Sequence, residues 1–415
     1  MKKQNLYHTI IVGAGASGLM AACELSKTTS SILILEKMNA PGKKILATGN
    51  GKCNMTNMHM DAGCFRGSGQ PLAMYGLSLL SPDGLRDYFY QMGLFTMERN
   101  GYVYPVTEQA KTVLNTMLFQ LKKNNIPIHL NEKVIKINQK AANDFEIETN
   151  QDTYRAKHII LACGGKANPK LGSDGSGYDL AKQLHLKIKK PMPALTALCS
   201  PKKIFKSLSG VRSKGCLSYF TNDGHYLKEE GELQLTAYGI SGIPVFQISR
   251  FVINDLEQKK ECEVEFDFFP EYTFQDLKNI LKDFRHIPGM CCQDIISGLI
   301  HDKWVPVLLG ESGINGKDAP KDVPEKKWNK LIQLFKQYPI PVNGYRDFEF
   351  AQASQGGVLS SCLSEELESR KHPGLYVTGE LVDVDGTCGG YNLHWAFTSG
   401  YMAAKSIAGR QERKE

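Results

Sequence analysis

The sequence lacks any apolar run approaching the ~18 residues that a membrane-crossing helix needs, because Gly, Ser or a charge interrupts each candidate first. It has no CxxC pair, and its 11 cysteines are odd in number and scattered, with one adjacent pair at Cys291 and Cys292. That pattern argues against a zinc ribbon, a thioredoxin-like dithiol or a secreted disulfide framework, and no metal site is expected; reduced thiols in a cytoplasm fit it. No large excess of one charge is present: a net +7 over 415 residues is too diffuse to declare nucleic-acid binding. A disordered or repetitive composition is also missing, since 42% of the residues are hydrophobic and 22% charged. Lys2 and Lys3 before an apolar stretch imitate a secretory leader, but Gly13, Gly15 and Gly18 break that stretch. The length leaves room for two or three domains, or for one large domain with an insertion.

What is present begins with those glycines. Thr9 to Val12 is an apolar, β-branched run of the kind found in buried parallel strands. Gly13-Ala14-Gly15-Ala16-Ser17-Gly18 follows at once, Leu19 to Lys27 reads as a helix, and Ser31 to Leu35 reads as a second strand ending at Glu36. This is a βαβ unit with GxGxxG at its first turn. Gly13 permits the turn, Gly15 lets a pyrophosphate approach the backbone, and Gly18 lets the helix pack on the strand. The helix start then offers N–H groups and a partial positive charge to the phosphates. Glu36 stands eighteen residues after Gly18, where a carboxylate accepts both hydroxyls of an adenosine ribose and repels a 2′-phosphate. This pocket therefore disfavours NADP.

The rest of the chain decides between NAD and FAD. Pro41 to Asn54 is a second glycine-rich, basic loop carrying Lys43, Lys44, Gly49, Gly51, Lys52 and Cys53, suited to cradling the pyrophosphate and flavin side of a long ligand. His158 to Ala162 reads as a buried strand ending in small residues at Cys163, Gly164 and Gly165, like the strand that passes under the dinucleotide in FAD domains of the glutathione-reductase type. Lys133 to Ile137 and Phe145 to Glu148 read as a β-ribbon, and in such domains the backbone near Val134 meets adenine. Near the C-terminus Gly374 to Glu380 reads as a strand ending in Gly379 and an acid. Asp383 and Asp385 follow, then Gly389, Gly390 and a helix beginning near Tyr391 and Asn392. The first turn of that helix can aim N–H groups at the flavin pyrimidine carbonyl. An FAD site of this type needs such a closing segment; an NAD site does not.

The strings GKCNMTN (51–57), GELQLTAYGISG (231–242) and GLYVTGELVDVDGTCGGYNLHWAFTSG (374–400) resemble the YhiN/BaiN-like flavoproteins, a family that includes aminoacetone oxidase and a dehydro-bile-acid reductase. The resemblance runs almost end to end. It implies an α/β, Rossmann-like FAD domain interrupted by an insertion, with FAD contacts at Gly13 to Gly18, Glu36, Lys37, Lys44, the 49–54 loop, Val134, Gly379, Glu380, Asn392 and Leu393. The chain departs from the family at Ala237 (often His), Ile243 (often Pro), Ser354-Gln355 (often Thr-Ala) and His394 (often Gln). These departures fall on the expected substrate side.

Domain boundaries are expected near 190/191 and 345/346, with a β-rich and helical insertion on the substrate side between two pieces of the FAD domain. Gly172 to Gly177 before a helical stretch is a helix cap or an anion-binding start. Gly310 to Gly316 has the wrong spacing for a second nucleotide loop, so NAD(P)H, as a transient electron donor, has no Rossmann unit of its own and visits the flavin directly. From Lys187 to Lys214 there are eight basic residues and no acid, a solvated face or an attractor of an anionic substrate, a nicotinamide phosphate or RNA. The expected activity is an FAD-dependent oxidoreductase acting on a small molecule, most simply a C=C conjugated to a carbonyl, with hydride transfer through the flavin. An oxygen-dependent amine oxidase and a flavoprotein acting on tRNA are the alternatives. His394 and Tyr391 are the candidate proton donors. Neither composition nor motif fixes an oligomeric state.

Overall fold

The computed structural model describes residues 6–412, and the chain divides into two compact units: one built from its two ends, through Ala194 and from Ala351 onward, and one spanning Leu195–Phe350. Lys2 and Lys3 lie outside the described residues; the apolar stretch that follows them is a strand, Leu6–Val12.

In the first unit Leu6–Val12 lies parallel to Ile32–Leu35 on one side and to Thr153–Leu161 on the other. Ile128–His129 extends the sheet beyond Ile32–Leu35. Leu375–Val377 runs parallel to the last residues of Thr153–Leu161, while the ribbon of Val134–Ala141 and Asp144–Thr149 pairs antiparallel with its first residues. The strands are apolar on both faces because both faces are covered. Ile11, Ile34 and Ile160 enter one apolar cluster with Leu19, Met117 and Phe397. Their neighbours Ile10, Leu33 and Leu161 enter another with Phe145, Leu180 and Val377. Helix Ala16–Leu25 packs against the closing helix Tyr391–Glu412. Glycine makes that packing possible: a Cβ on Gly18 would lie 2.0 Å from the Gly13 carbonyl oxygen, and one on Gly400 would lie 2.1 Å from that of Ser17.

The second unit is an antiparallel sheet in the order Tyr338–Val342, Cys262–Asp267, Arg212–Phe220, Tyr226–Thr236, Gly239–Ser241, Leu198–Cys199, Gly344–Tyr345. Helices Ile243–Glu257, Phe274–Phe284, Val305–Ser312 and Glu325–Lys336 contribute to a core around Trp304, Trp328 and Phe335. The rings of Phe268, Trp304 and Tyr338 meet edge-on at 5.1 to 6.2 Å between centroids.

Several expectations shift. The first unit extends past Lys190 because strand Ile188–Ala194 pairs with Ala353–Val358. The basic stretch is not one free face. Lys202 is built into the second unit, donating to the Pro339 carbonyl at 2.8 Å, lying 4.3 Å from the centre of the Tyr338 ring and 3.7 Å from Glu311. Arg212 is paired with Glu232 at 2.9 Å. Gly310 to Gly316 spans the end of helix Val305–Ser312, stopped by left-handed Gly313, so these glycines end a helix instead of starting one. Helices Gln70–Leu79, Pro82–Gln91, Ala110–Lys123 and Ile243–Glu257 had no counterpart in the sequence reading. Among the described residues no helix is long and apolar enough to cross a membrane.

Candidate functional site

The site forms at the carboxyl ends of the parallel strands, where ligands bind in open α/β sheets. Leu6–Val12 ends in Gly13, whose N–H donates to the Leu35 carbonyl at 2.8 Å. Its φ is +108°, and a Cβ there would come within 2.5 Å of the Ala162 carbonyl oxygen, so the position requires glycine. The next glycine differs in kind. Gly15 lies on the wall of a cavity, and a Cβ built on it meets nothing within 4 Å. Between them the Ala14 N–H donates to Glu36 Oε2 at 2.7 Å, and the Met38 N–H donates to Oε1 at 2.8 Å. Two backbone amides thus orient a carboxylate that is 8% exposed and sits on the cavity wall.

Ala16 and Ser17, the first turn of the first helix, continue this wall, and no side chain caps that helix. Ala162 and Gly164 come from the end of Thr153–Leu161, Val134 from the ribbon, Gly379 and Glu380 from the turn after Leu375–Val377, and Asn392 and Leu393 from the closing helix. Asn392 locks that helix to its preceding loop: its side-chain oxygen accepts from Gly386 N, and its amide donates to Gly386 O, both at 2.8 Å. Lys37 and Lys44 also line the cavity, each with an acid. Lys44 Nζ reaches Glu380 Oε2 at 2.7 Å, and Glu380 Oε1 accepts from Ser354 N at 2.7 Å. Lys37 pairs with Asp174 and donates to Ser176 Oγ at 2.9 Å. Burial works against the charge of Asp174, but Lys37 and Ser176 outweigh it and hold the carboxyl at about 2.

The sequence reading missed Thr48, Gln352, Val384, Trp395 and Ala396 on this wall, and left open the role of Gly172, Ser173 and Ser176, which also line it. Helical periodicity could have found Ala396, one turn beyond Asn392 and Leu393. No sequence signal marks Gln352.

Other expected residues lie off the wall. Gly18 packs beneath the turn. Gly49, Gly51, Lys52, Cys53 and Asn54 do not reach the cavity: positive φ values at Gly49, Asn50, Gly51 and Cys53 coil this loop on itself, and Lys52 pairs with Glu108 at 2.9 Å. Cys53 is wholly buried, and burial pushes its thiol up to about 12, so it is no thiolate at neutral pH. Asp385 is buried in a short antiparallel pair with Phe65–Arg66, and Gly390 packs on Thr56. Tyr391 donates to the His59 carbonyl at 3.0 Å, and burial raises its hydroxyl, so it stays a neutral phenol off the wall.

His394 is 2% exposed, its Nδ1 lies 2.9 Å from Thr56 Oγ1, and its Nε2 has no hydrogen-bond partner among the described residues. Burial lowers it to about 4, so the ring is neutral at pH 7 and carries no extra proton to donate. The unfolded chain takes up that proton near 6.5, so the stability contributed by the neutral ring is complete above about pH 6.5 and is lost as pH falls toward 4. Denaturant melts at pH 7.5 and 4.5 check this: the drop in stability is expected to be larger, by up to ~3 kcal/mol, for the natural chain than for His394→Gln.

The cavity suits a dinucleotide by its own chemistry. Gly15 leaves room where a side chain would stand, an oriented carboxylate accepts hydroxyl donors, and an uncapped helix start offers N–H groups to an anion. Among the described residues no cluster of His, Cys, Asp or Glu could hold a metal.

Comparisons with known proteins agree. The chain is 39% identical over 404 residues to 3-dehydro-bile acid delta(4,6)-reductase of Clostridium scindens, covering 96% of this chain and 98% of that one. It is 27% identical over 415 residues to ribosomal RNA dihydrouridine synthase of Haemophilus influenzae, covering 96% and 98%. Among solved structures, 3-ketosteroid delta1-dehydrogenase of Sterolibacterium denitrificans shares the fold at 12% identity and a TM-score of 0.52, covering 98% of this chain and 100% of that one. Fold, cavity and relatives together define an FAD-dependent oxidoreductase built on a Rossmann domain. Residues 7–406 match the HI0933-like protein Rossmann domain, and the chain belongs to that family.

Proposed function

We propose that the chain, with NAD(P)H as electron donor, saturates a carbon–carbon double bond conjugated to a carbonyl on a polycyclic acid of the 3-dehydro-bile-acid kind. The near-full-length similarity to the Clostridium scindens reductase carries this reading. Bound FAD supplies the hydride chemistry. The protein's part is to hold and orient. Glu36, fixed by the Ala14 and Met38 amides, takes the ribose hydroxyls, and the 13–17 turn takes the pyrophosphate on backbone N–H groups. Val134 lies at the adenine end. The first turn of the closing helix, fixed by Asn392, presents N–H groups to the ring carbonyl and favours negative charge there. Asp174 and Glu380 neutralise Lys37 and Lys44, whereas Lys43 and Lys133, also on the wall, have no carboxylate partner among the described residues.

A second reading has support in the relatives named ribosomal RNA dihydrouridine synthase. Dihydrouridine is uridine with the C=C beside a carbonyl saturated, so the bond change is of the same class while the substrate is RNA. One anaerobic experiment separates them. The yellow protein is bleached with NADH or NADPH, then mixed with a 3-oxo-4,6-diene bile acid or with ribosomal RNA. Colour is expected to return with the bile acid. Return with RNA alone would replace the substrate, and bleaching by a small amine but not by NAD(P)H would overturn the reductive direction.

A further inference from the structure

Where the closing helix begins, the polar side chains of the cavity wall are mostly spent on the protein itself. Lys44 and Glu380 hold each other at 2.7 Å. The Thr48 hydroxyl donates to the Ile45 carbonyl at 2.6 Å. Asn392 uses both ends of its amide on Gly386, and Trp395 Nε1 donates to the Gly379 carbonyl at 3.0 Å. Gln352 differs. It lies on the same wall, it is exposed, and its amide has no hydrogen-bond partner among the described residues. All of these residues belong to the unit built from the two chain ends.

The backbone that carries Gln352 is fixed. It precedes strand Ala353–Val358. Two residues on, the Ser354 N–H donates to Glu380 Oε1 at 2.7 Å, and the fully buried Ser354 hydroxyl oxygen accepts from the Lys166 and Ala167 amides at 2.8 and 2.9 Å. That anchor ties Gln352 to the Glu380 and Lys44 part of the wall. Lys43 belongs elsewhere: it follows Gly42, whose N–H donates to the Ala14 carbonyl at 2.8 Å, and so stands by the phosphate turn. The chemistry of a flavin gives the free amide a task. The pyrimidine edge of the ring alternates carbonyl, N–H and carbonyl. Helix N–H groups serve the carbonyls but cannot accept from the N–H between them. A primary amide carries a donor and an acceptor side by side and can pair with both groups at once.

We infer that the Gln352 amide pairs with the pyrimidine edge of the flavin, accepting from its ring N–H and donating to the adjoining carbonyl. This rests on the reading above that the closing helix meets the ring. A donor at that carbonyl favours the negative charge of reduced flavin, so Gln352 also tunes the cofactor.

Flavin-free, full-length protein is titrated with FAD and with N3-methyl FAD, for the natural chain, Gln352→Leu, Gln352→Glu and Asn392→Ala. The natural chain is expected to bind N3-methyl FAD ~10-fold more weakly than FAD, the scale of one lost hydrogen bond. Gln352→Leu is expected to bind FAD ~10-fold more weakly and to stop distinguishing the two flavins. Gln352→Glu keeps the acceptor, and with it the preference for FAD. Its charge opposes reduced flavin and is expected to lower the bound cofactor's reduction potential by ~30 mV, a tenfold shift in relative affinity. Melting of the flavin-free protein is expected to be the same for the natural chain and Gln352→Leu, because the side chain has no partner to lose; a fall there would make the role structural and overturn the inference. Equal affinity of the natural chain for the two flavins, or the same fractional loss for both in Gln352→Leu, would also overturn it. If Asn392→Ala weakens FAD binding and Gln352→Leu does not, the ring lies where the closing helix begins and the inference alone falls. If neither weakens it, the placement of the ring falls and the inference with it.

Discussion

Replacing Glu36 with alanine is expected to cost roughly 2–5 kcal/mol of stability and to leave the protein colourless. The magnitude follows from the two amides this carboxylate holds. Ala14 and Met38 both donate to it in a region 8% exposed, and a buried donor left without a partner costs about 1–3 kcal/mol. The same carboxylate is the acceptor for the ribose, so cofactor affinity falls with stability. Glu36→Gln keeps one acceptor oxygen and is expected to lie between. Denaturant unfolding of cofactor-free protein reads the first effect, and titration with FAD reads the second. An alanine variant that stays yellow and equally stable would mean that neither the turn nor the cofactor depends on this residue.

The second large effect separates two glycines of one motif. Gly18→Ala places a methyl 2.0 Å from the Gly13 carbonyl oxygen, and Gly400→Ala places one 2.1 Å from that of Ser17. Backbone cannot turn aside as a flexible side chain can, so each is expected to cost ~3 kcal/mol, the upper end for overpacking. Gly15→Ala meets nothing within 4 Å and is expected to fold with near-normal stability while losing FAD, because its methyl projects where the cofactor approaches. Thermal melts without cofactor and flavin content after purification give the two readouts. Equal destabilisation at Gly15 and Gly18 would remove the distinction between a packing glycine and a ligand-approach glycine.

What the sequence made legible was local. Gly13 to Gly18 and Glu36 belong to one βαβ unit whose spacing dictates their geometry, and they meet at one turn. The 49–54 loop was harder, because glycine and lysine content shows that a loop can bend but not where. Left-handed residues coil it away, and helix Lys43–Ala47 brings Lys43, Lys44 and Ile45 to the wall instead. His394 shows what a helical rotation does: Asn392, Leu393, Trp395 and Ala396 line the cavity, and the residue among them meets Thr56. The pairing of Lys44 with Glu380 joins residues 336 apart, and the capture of Lys202 by Tyr338 and Glu311 joins residues more than a hundred apart. No local pattern encodes either. Helix Ile243–Glu257 escaped because its β-branched residues lower helix propensity until the sheet beneath supplies the packing.

The order in which a ribosome delivers this chain gives the closing helix another meaning. The phosphate turn is made before Leu195–Phe350, and the strand Leu375–Val377 and the helix that packs through Gly400 only after it. Leu195–Phe350 is continuous in sequence and is complete while the parallel sheet still waits for its final strand. The central strand Leu6–Val12 and the first helix therefore wait, while that unit is made, with part of their apolar surface uncovered, the kind of exposed surface that chaperones engage. Cofactor capture is expected to follow the closing helix, because a chain cut before Tyr391 has the glycine motif but lacks Asn392 and Leu393 on the cavity wall.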